Sequence, residues 1–122
     1  VKKVASIMTI LALLAPASGY SDHSCPEAVK GGKEAYRFAK KAYKAESFVE
    51  AKSYAKQAER GAEEAKVAAD KCGCEKAEKN FDEAHEYAEK ARKADSQADV
   101  YKYAEKAMQE AKEGIDRAKH CR

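Results

Sequence analysis

Proline is missing after Pro26, tryptophan is missing throughout, and only three phenylalanines occur in the 122 residues. A stretch that long without proline carries no obligatory helix break, so helices are permitted anywhere downstream. The shortage of large apolar side chains excludes a bulky core. It points instead to a small alanine-dominated one, marginal unless cross-linked. No Gly-rich phosphate loop, nucleophile elbow or zincin pattern is present. The absence of Cys-x-x-Cys-His excludes covalent haem attachment. No enzyme and no cofactor are expected.

The one long apolar run lies at the start. Lys2 and Lys3 precede an almost wholly apolar stretch from Val4 to Ala15, and Ala15-Pro16-Ala17 follows with small residues at the spacing a signal peptidase reads. Residues 1–17 are therefore expected to be a secretory signal peptide, cut after Ala17 or, as second choice, after Gly19. About 12 apolar residues fall short of the roughly 20 that span a bilayer. Asp22-His23-Ser24 before Cys25 is unlike the small and apolar residues that precede a lipid-anchored cysteine. The expected product is secreted or periplasmic, without a membrane span. Residues 18–24 are expected to be a flexible mature N-terminus ahead of one helical domain over 25–122.

Charge of one sign is also in short supply. Without Lys2 and Lys3 the chain has 22 basic and 21 acidic residues. Interleaved, nearly balanced signs give no footprint for nucleic acid. The halves differ, however: residues 25–72 hold 11 basic and 8 acidic side chains, and residues 74–121 hold 10 and 12. Complementary halves could attract each other within one chain or between two, which leaves a homo-oligomer open.

What is present is centred on Lys71-Cys72-Gly73-Cys74-Glu75. Cys25 to Cys72 and Cys74 to Cys121 each enclose 46 residues. An exported domain of this size with four cysteines reads as a two-disulfide scaffold, for which three connectivities exist. Staples are preferred over a zinc cluster, because a one-residue gap fits poorly with the Cys-x₂₋₄-Cys spacing of such sites. They are also preferred over a redox-active Cys72-Gly73-Cys74.

Sliding the chain on itself by 49 residues aligns the two blocks without a gap, with 18 of 48 positions identical. Cys25 falls on Cys74, Ser47 on Ser96, Tyr54 on Tyr103 and Cys72 on Cys121. These matches do not come free with an alanine-rich composition, so the blocks read as a tandem repeat. In each block small or apolar residues recur at steps of three and four, which marks one face of a helix. The stripe breaks once per block, between 42 and 51 and between 91 and 100. A nine-residue step rotates about 180° on a helix, so a turn is needed for both stripes to face one partner. Ser47 with Glu50, and Ser96 with Asp99, supply helix-start signals at those breaks. Ser24 with Pro26 and Glu27 opens the first helix, and Gly73 ends the second.

The expectation is an all-α fold: two tandem disulfide-stapled αα-hairpins forming a four-helix bundle. Helices are expected at about 26–45, 48–71, 75–94 and 97–120. Folding the first block about its midpoint sets Ala28 against Ala69, Ala35 against Ala62, Ala39 against Ala58 and Ala42 against Ala55. It also sets Cys25 against Cys72, and the second block does the same for Cys74 and Cys121. One long antiparallel two-helix hairpin turning at Gly73 also matches alanine to alanine, and would pair Cys25 with Cys121. Neither Gly nor Pro marks the mid-block turns, so that alternative stays open.

Val29, Tyr36 and Tyr43 form a stripe that fits packing between the hairpins better than a recognition surface. His85 stands alone on a polar helix. His23 and His120 lie beside Cys25 and Cys121. If all four cysteines meet at one end, that end is where a soft metal such as zinc or copper would find several ligands: Cys25, Cys72, Cys74, Cys121, His23 and His120. The helices opening at Ser47 and Ser96, with Tyr-Ala-x-x-Ala on their faces, resemble the second helix of a tetratricopeptide repeat over about 12 residues per copy. The period here is 49 rather than 34, and the family's Trp, Gly and Pro positions are unmatched, so no function is carried over. The functional expectation is an exported interaction module that binds a protein or an envelope component. The alternative is a periplasmic metal-binding or stress protein that uses the cysteine–histidine end. A thiol oxidoreductase ranks third.

Overall fold

Ser47 and Ser96 do the same work at the two breaks in the stripe. Ser47 Oγ accepts a hydrogen bond from the Glu50 backbone N–H at 3.1 Å, and Ser96 Oγ accepts one from Asp99 N–H at 3.1 Å. Each satisfies one orphan donor of a new helix and so stops the preceding helix from running on. The computed structural model, which describes residues 23–121, accordingly has four helices. They are α1 (Pro26–Lys44), α2 (Phe48–Cys72), α3 (Glu75–Arg92) and α4 (Gln97–Lys119). The two-long-helix alternative is not what the chain adopts.

The other ends have different causes. Gly73 sits at φ 77°, in the left-handed region, and its N–H reaches back to the carbonyls of Ala69 and Asp70. That geometry closes α2 and suits a residue without Cβ. The first helix is not capped by Ser24 as expected. Cys25 is its N-cap, with Pro26 at the first helical position and no side-chain capping bond. The sulfur of Cys25 is already committed to Cys72, so it cannot serve the helix end. α1 stops at Lys44 and α3 at Arg92, slightly earlier than the periodicity suggests.

α1 packs on α2 and α4, and α3 packs on α2 and α4, with the diagonal pairs only brushing each other. Short connections make each helix antiparallel to its neighbours, the arrangement of an up-down-up-down bundle. The core is a stack of alanine layers with one residue from each helix. Ala35, Ala62, Ala84 and Ala111 form one layer, and Ala39, Ala58, Ala88 and Ala107 the next. Toward the turn end come Ala42, Ala55, Ala91 and Ala104, with Val100. The opposite end holds Ala28, Ala69, Ala77 and Ala118 together with the cysteines and Phe81. The intra-hairpin pairs expected from the sequence all fall in common layers.

Small side chains bring the backbones close, and two glycines take this furthest. A Cβ on Gly31 would lie 2.9 Å from Ala65 N, and one on Gly61 would lie 2.8 Å from Ala35 N. Among the described residues Phe81 is the one large ring that is fully buried. Room for it comes from Gly32 and Gly114, where a Cβ would come within 2.7 Å and 2.6 Å of its Cε1.

Ion pairs cross between the two halves in both senses. Lys66 of α2 pairs with Asp82 of α3 at 3.1 Å, and Arg92 of α3 donates from Nε and Nη2 to the Glu59 carboxylate of α2. The signal-peptide expectation for residues 1–17 lies outside the described residues, as do residues 18–22. His23 and Ser24, the last of the stretch expected to be flexible, lie among them. His23 exchanges two backbone hydrogen bonds with Cys121, at 3.0 and 2.8 Å, and Cys25 N–H donates to Ala118 O at 2.8 Å. The two ends of the domain are thus stitched together. Among the described residues no helix is long and apolar enough to cross a membrane.

Candidate functional site

Four helix ends converge where the cysteines are. Cys25 opens α1, Cys72 closes α2, Cys74 opens α3 and Cys121 follows α4. The bonds formed are Cys25–Cys72 and Cys74–Cys121, with Cα–Cα separations of 6.0 and 5.6 Å, and no cysteine is free. Each bond staples the open end of one hairpin, the pairing that folding each block about its midpoint predicts. Cys72 and Cys74 are not bonded to each other, so the Cys72-Gly73-Cys74 redox pair is not formed.

The two bonds are not equivalent. Cys25, Cys74 and Cys121 are buried, whereas Cys72 is half-buried. Cys25 and Cys72 stand in the wall of a groove of about 590 Å³ between α1 and α2. Its floor is apolar, from Pro26, Ala28, Val67 and Ala68, and Val67 is 42% exposed. The sulfurs of Cys25, Cys74 and Cys121 lie within 4.8 Å of one another, so the two disulfides are neighbours across the hairpin boundary.

Of the two histidines expected here, one joins the cluster. A ring nitrogen of His23 lies within 4.8 Å of the sulfurs of Cys25 and Cys72, and its Nε2 is 3.2 Å from the Cys72 carbonyl oxygen. His120 is at the rim beside Cys74 and Cys121, outside both close groups of ligand atoms. The His23 placement follows from its backbone pairing with Cys121. Metal binding by these sulfurs requires thiolates. In the disulfide form the chemistry of this end is that of disulfides.

Sequence reasoning missed three clusters elsewhere. His85 is not alone: its Nε2 lies 3.7 Å from Glu59 Oε2 and 3.6 Å from Glu63 Oε1, both on α2. The Arg92 guanidinium is pushed above its usual range by its hydrogen bond to Glu59. Asn80, buried at the α3–α4 boundary, donates to Glu110 Oε1 at 2.9 Å, and Glu83 lies beside the same carboxylate. The Glu83 carboxyl is held above the usual glutamate range, first by lost solvation and then by its hydrogen bond with Glu110 and the charge there.

The third cluster occurs twice. Phe38 of α1 stacks on Tyr54 of α2, with ring centroids 6.4 Å apart, and Tyr87 of α3 stacks on Tyr103 of α4 at 6.5 Å. Arg37 and Lys41 lie over the first pair, and Lys90, Lys102 and Lys106 over the second. The 49-residue offset equates 38 with 87, 54 with 103 and 41 with 90, a signal that was available in the sequence. The stripe Val29-Tyr36-Tyr43 behaves as packing, because Val29 and Tyr36 rest on the core and Tyr43 meets Tyr101 of α4 edge-on at 6.2 Å.

No protein-family model, no curated protein and no solved structure matches this chain.

Proposed function

We propose that the chain is an exported interaction module: a rigid, disulfide-stapled helical scaffold that binds a protein or cell-surface component. One observation carries this reading. The core layers are built of alanine, while Phe38, Tyr54, Tyr87 and Tyr103 pack on the edges of those layers and stay half-exposed, in contrast to the buried Phe81. Phe38–Tyr54 and Tyr87–Tyr103 each present a stacked ring pair flanked by cations, and Tyr and Arg are the residue types that dominate binding energy at interfaces. A scaffold whose seam is closed by alanine and two covalent bonds holds such rings with little further ordering cost on association.

Export is supported by the pattern of residues 1–17 and by two disulfides, which persist in oxidising compartments. The second reading, a soft-metal protein, is favoured by the approach of His23 and the sulfurs, and requires both bonds to be reduced first.

Binding of the purified protein to cell envelopes of its source organism tests the proposal. The wild type is expected to be retained. The variant carrying Phe38→Ser, Tyr54→Ser, Tyr87→Ser and Tyr103→Ser should lose roughly tenfold or more in affinity while keeping its helical circular dichroism. Equal retention of both proteins contradicts the proposal. Stoichiometric zinc or copper in protein purified without reductant would favour the metal reading.

A further inference from the structure

We infer that the cysteine end is a site of thiol–disulfide exchange. A partner dithiol opens Cys25–Cys72 at Cys72, and the released Cys25 passes the exchange to the buried Cys74–Cys121 bond. Three independent features of this end converge on that chemistry, and none of them is needed for stapling.

The first is access. Cys72 is the one half-buried sulfur-bearing residue of the four, and it forms a wall of the apolar-floored groove between α1 and α2. A thiolate carried on an extended, apolar segment can lie in that groove with its sulfur against Cys72. Cys74 and Cys121 are 2% and 1% exposed, so neither sulfur of the second bond is as open to an outside thiol as Cys72.

The second is proximity. Cys25 Sγ lies within 4.8 Å of the sulfurs of both Cys74 and Cys121, and a modest side-chain rotation brings a thiolate there into bonding range of either. Once released, Cys25 faces a disulfide held next to it at high effective concentration. The third is His23, whose ring nitrogen sits within 4.8 Å of both sulfurs of the outer bond. An imidazole N–H in that position can donate a hydrogen bond to the departing Cys25 sulfur and so hold it as the nucleophilic thiolate.

The steps balance. The partner's first thiolate bonds to Cys72 Sγ, and the Cys25–Cys72 bond breaks with its electron pair leaving on Cys25. The Cys25 thiolate then attacks the sulfur of Cys74 or Cys121, and the pair leaves on the other of the two. The partner's second thiolate attacks its own sulfur in the mixed disulfide, and Cys72 departs as a thiolate that takes up a proton. Overall the partner dithiol is oxidised by two electrons to a disulfide. The protein gains two thiols and keeps one disulfide, which has moved from within a hairpin to between hairpins. That new bond ties one helix end of the first hairpin to one of the second, so the two hairpins remain covalently cross-linked at this end.

The test uses the intact wild-type protein with its native pairing. Folded protein is treated briefly with limiting dithiothreitol, trapped with N-ethylmaleimide, and the molecules carrying two labels are mapped by peptide mass. The inference predicts a label on Cys72 in nearly all of them, with the second label on Cys74 or Cys121 at least as often as on Cys25. Labels confined to Cys25 and Cys72 would show two independent bonds and overturn it. Labels on Cys74 and Cys121 together, without Cys72, would show direct opening of the inner bond and overturn it equally.

Discussion

Phe81 fills the space that Gly32 leaves. The 49-residue offset that aligns the two blocks places these two residues at the same position, one with the largest buried side chain and the other with none. A symmetric pair of phenylalanines would collide at this level of the bundle, and a symmetric pair of glycines would leave a void. The substitution at one copy is therefore completed by the substitution at the other.

The pair makes a prediction about coupling. In the wild type, Gly32→Ala puts a Cβ 2.7 Å from the Phe81 ring and 2.8 Å from Ile115 Cγ1. Overpacking of this kind costs about 1–3 kcal/mol, which outweighs the gain of roughly 1 kcal/mol from replacing a mid-helix glycine. With Phe81→Ala in place the ring is gone and Ile115 can shift into the space it leaves, so the same Gly32→Ala change should stabilise the protein. Urea unfolding of the four proteins measures the sign reversal; an unchanged sign in the two backgrounds contradicts the packing.

Reduction should cost more here than in a protein with a large core. Each staple spans 47 residues in sequence. Closing a loop of that size contributes about 4 kcal/mol in the chain-entropy model. An alanine seam has little apolar area to offset such a loss. Thermal melts followed by helical circular dichroism should show a midpoint lower by roughly 40 °C when both bonds are reduced, the shift expected for about 8 kcal/mol in a domain of this size. An unchanged midpoint would mean that the seam holds without its staples.

The Glu83–Glu110 pair gives a pH signature. Because the folded-state carboxyl of Glu83 is raised above its ordinary value, the native state binds more protons than the unfolded chain. Its contribution is fully present below the ordinary glutamate range and is lost as pH rises through the raised value. Glu110→Gln removes the like charge, so it should stabilise the protein at pH 7 by roughly half a kcal/mol, the scale of one solvent-screened pair. The effect should shrink near pH 4. Midpoints measured at both values check this, and a benefit larger at the lower pH contradicts it.

If residues 1–17 direct export, the mature protein recovered from outside the cytoplasm should begin at Ser18, or at Tyr20 for the second cleavage choice. N-terminal sequencing decides between them, and a chain that retains Lys2 and Lys3 contradicts the processing.

Much of the architecture could be read from the sequence because the repeat pairs each helix with its hairpin partner. Ala35 against Ala62 and Ala39 against Ala58 follow from folding one block in half. Ser47 and Ser96 mark turns that neither glycine nor proline announces. The contacts between hairpins were not legible in this way. His85 meets Glu59 and Glu63 only because α3 lies alongside α2, and nothing in the local pattern of either helix says which of its polar faces will be covered. Gly32 and Gly114 fall on the small-residue stripes of their helices, and only the folded arrangement places Phe81 between them. The Cys25 N-cap was hidden for a similar reason: Ser24 is the better capping residue, but the disulfide and the pairing with Ala118 fix the chain one residue later.

The most direct check on the stapled-hairpin account is a non-reduced tryptic mass map, made on protein trapped with alkylating agent and without added thiol. Cleavage at Lys71 and Lys76 releases Cys72 and Cys74 on one short peptide, and fragmentation between them assigns each sulfur. The account predicts Cys72 bonded to the Cys25 peptide, Cys74 bonded to the Cys121 peptide, and no alkylated cysteine. A Cys25 peptide joined directly to the Cys121 peptide, or four alkylated thiols, would contradict it.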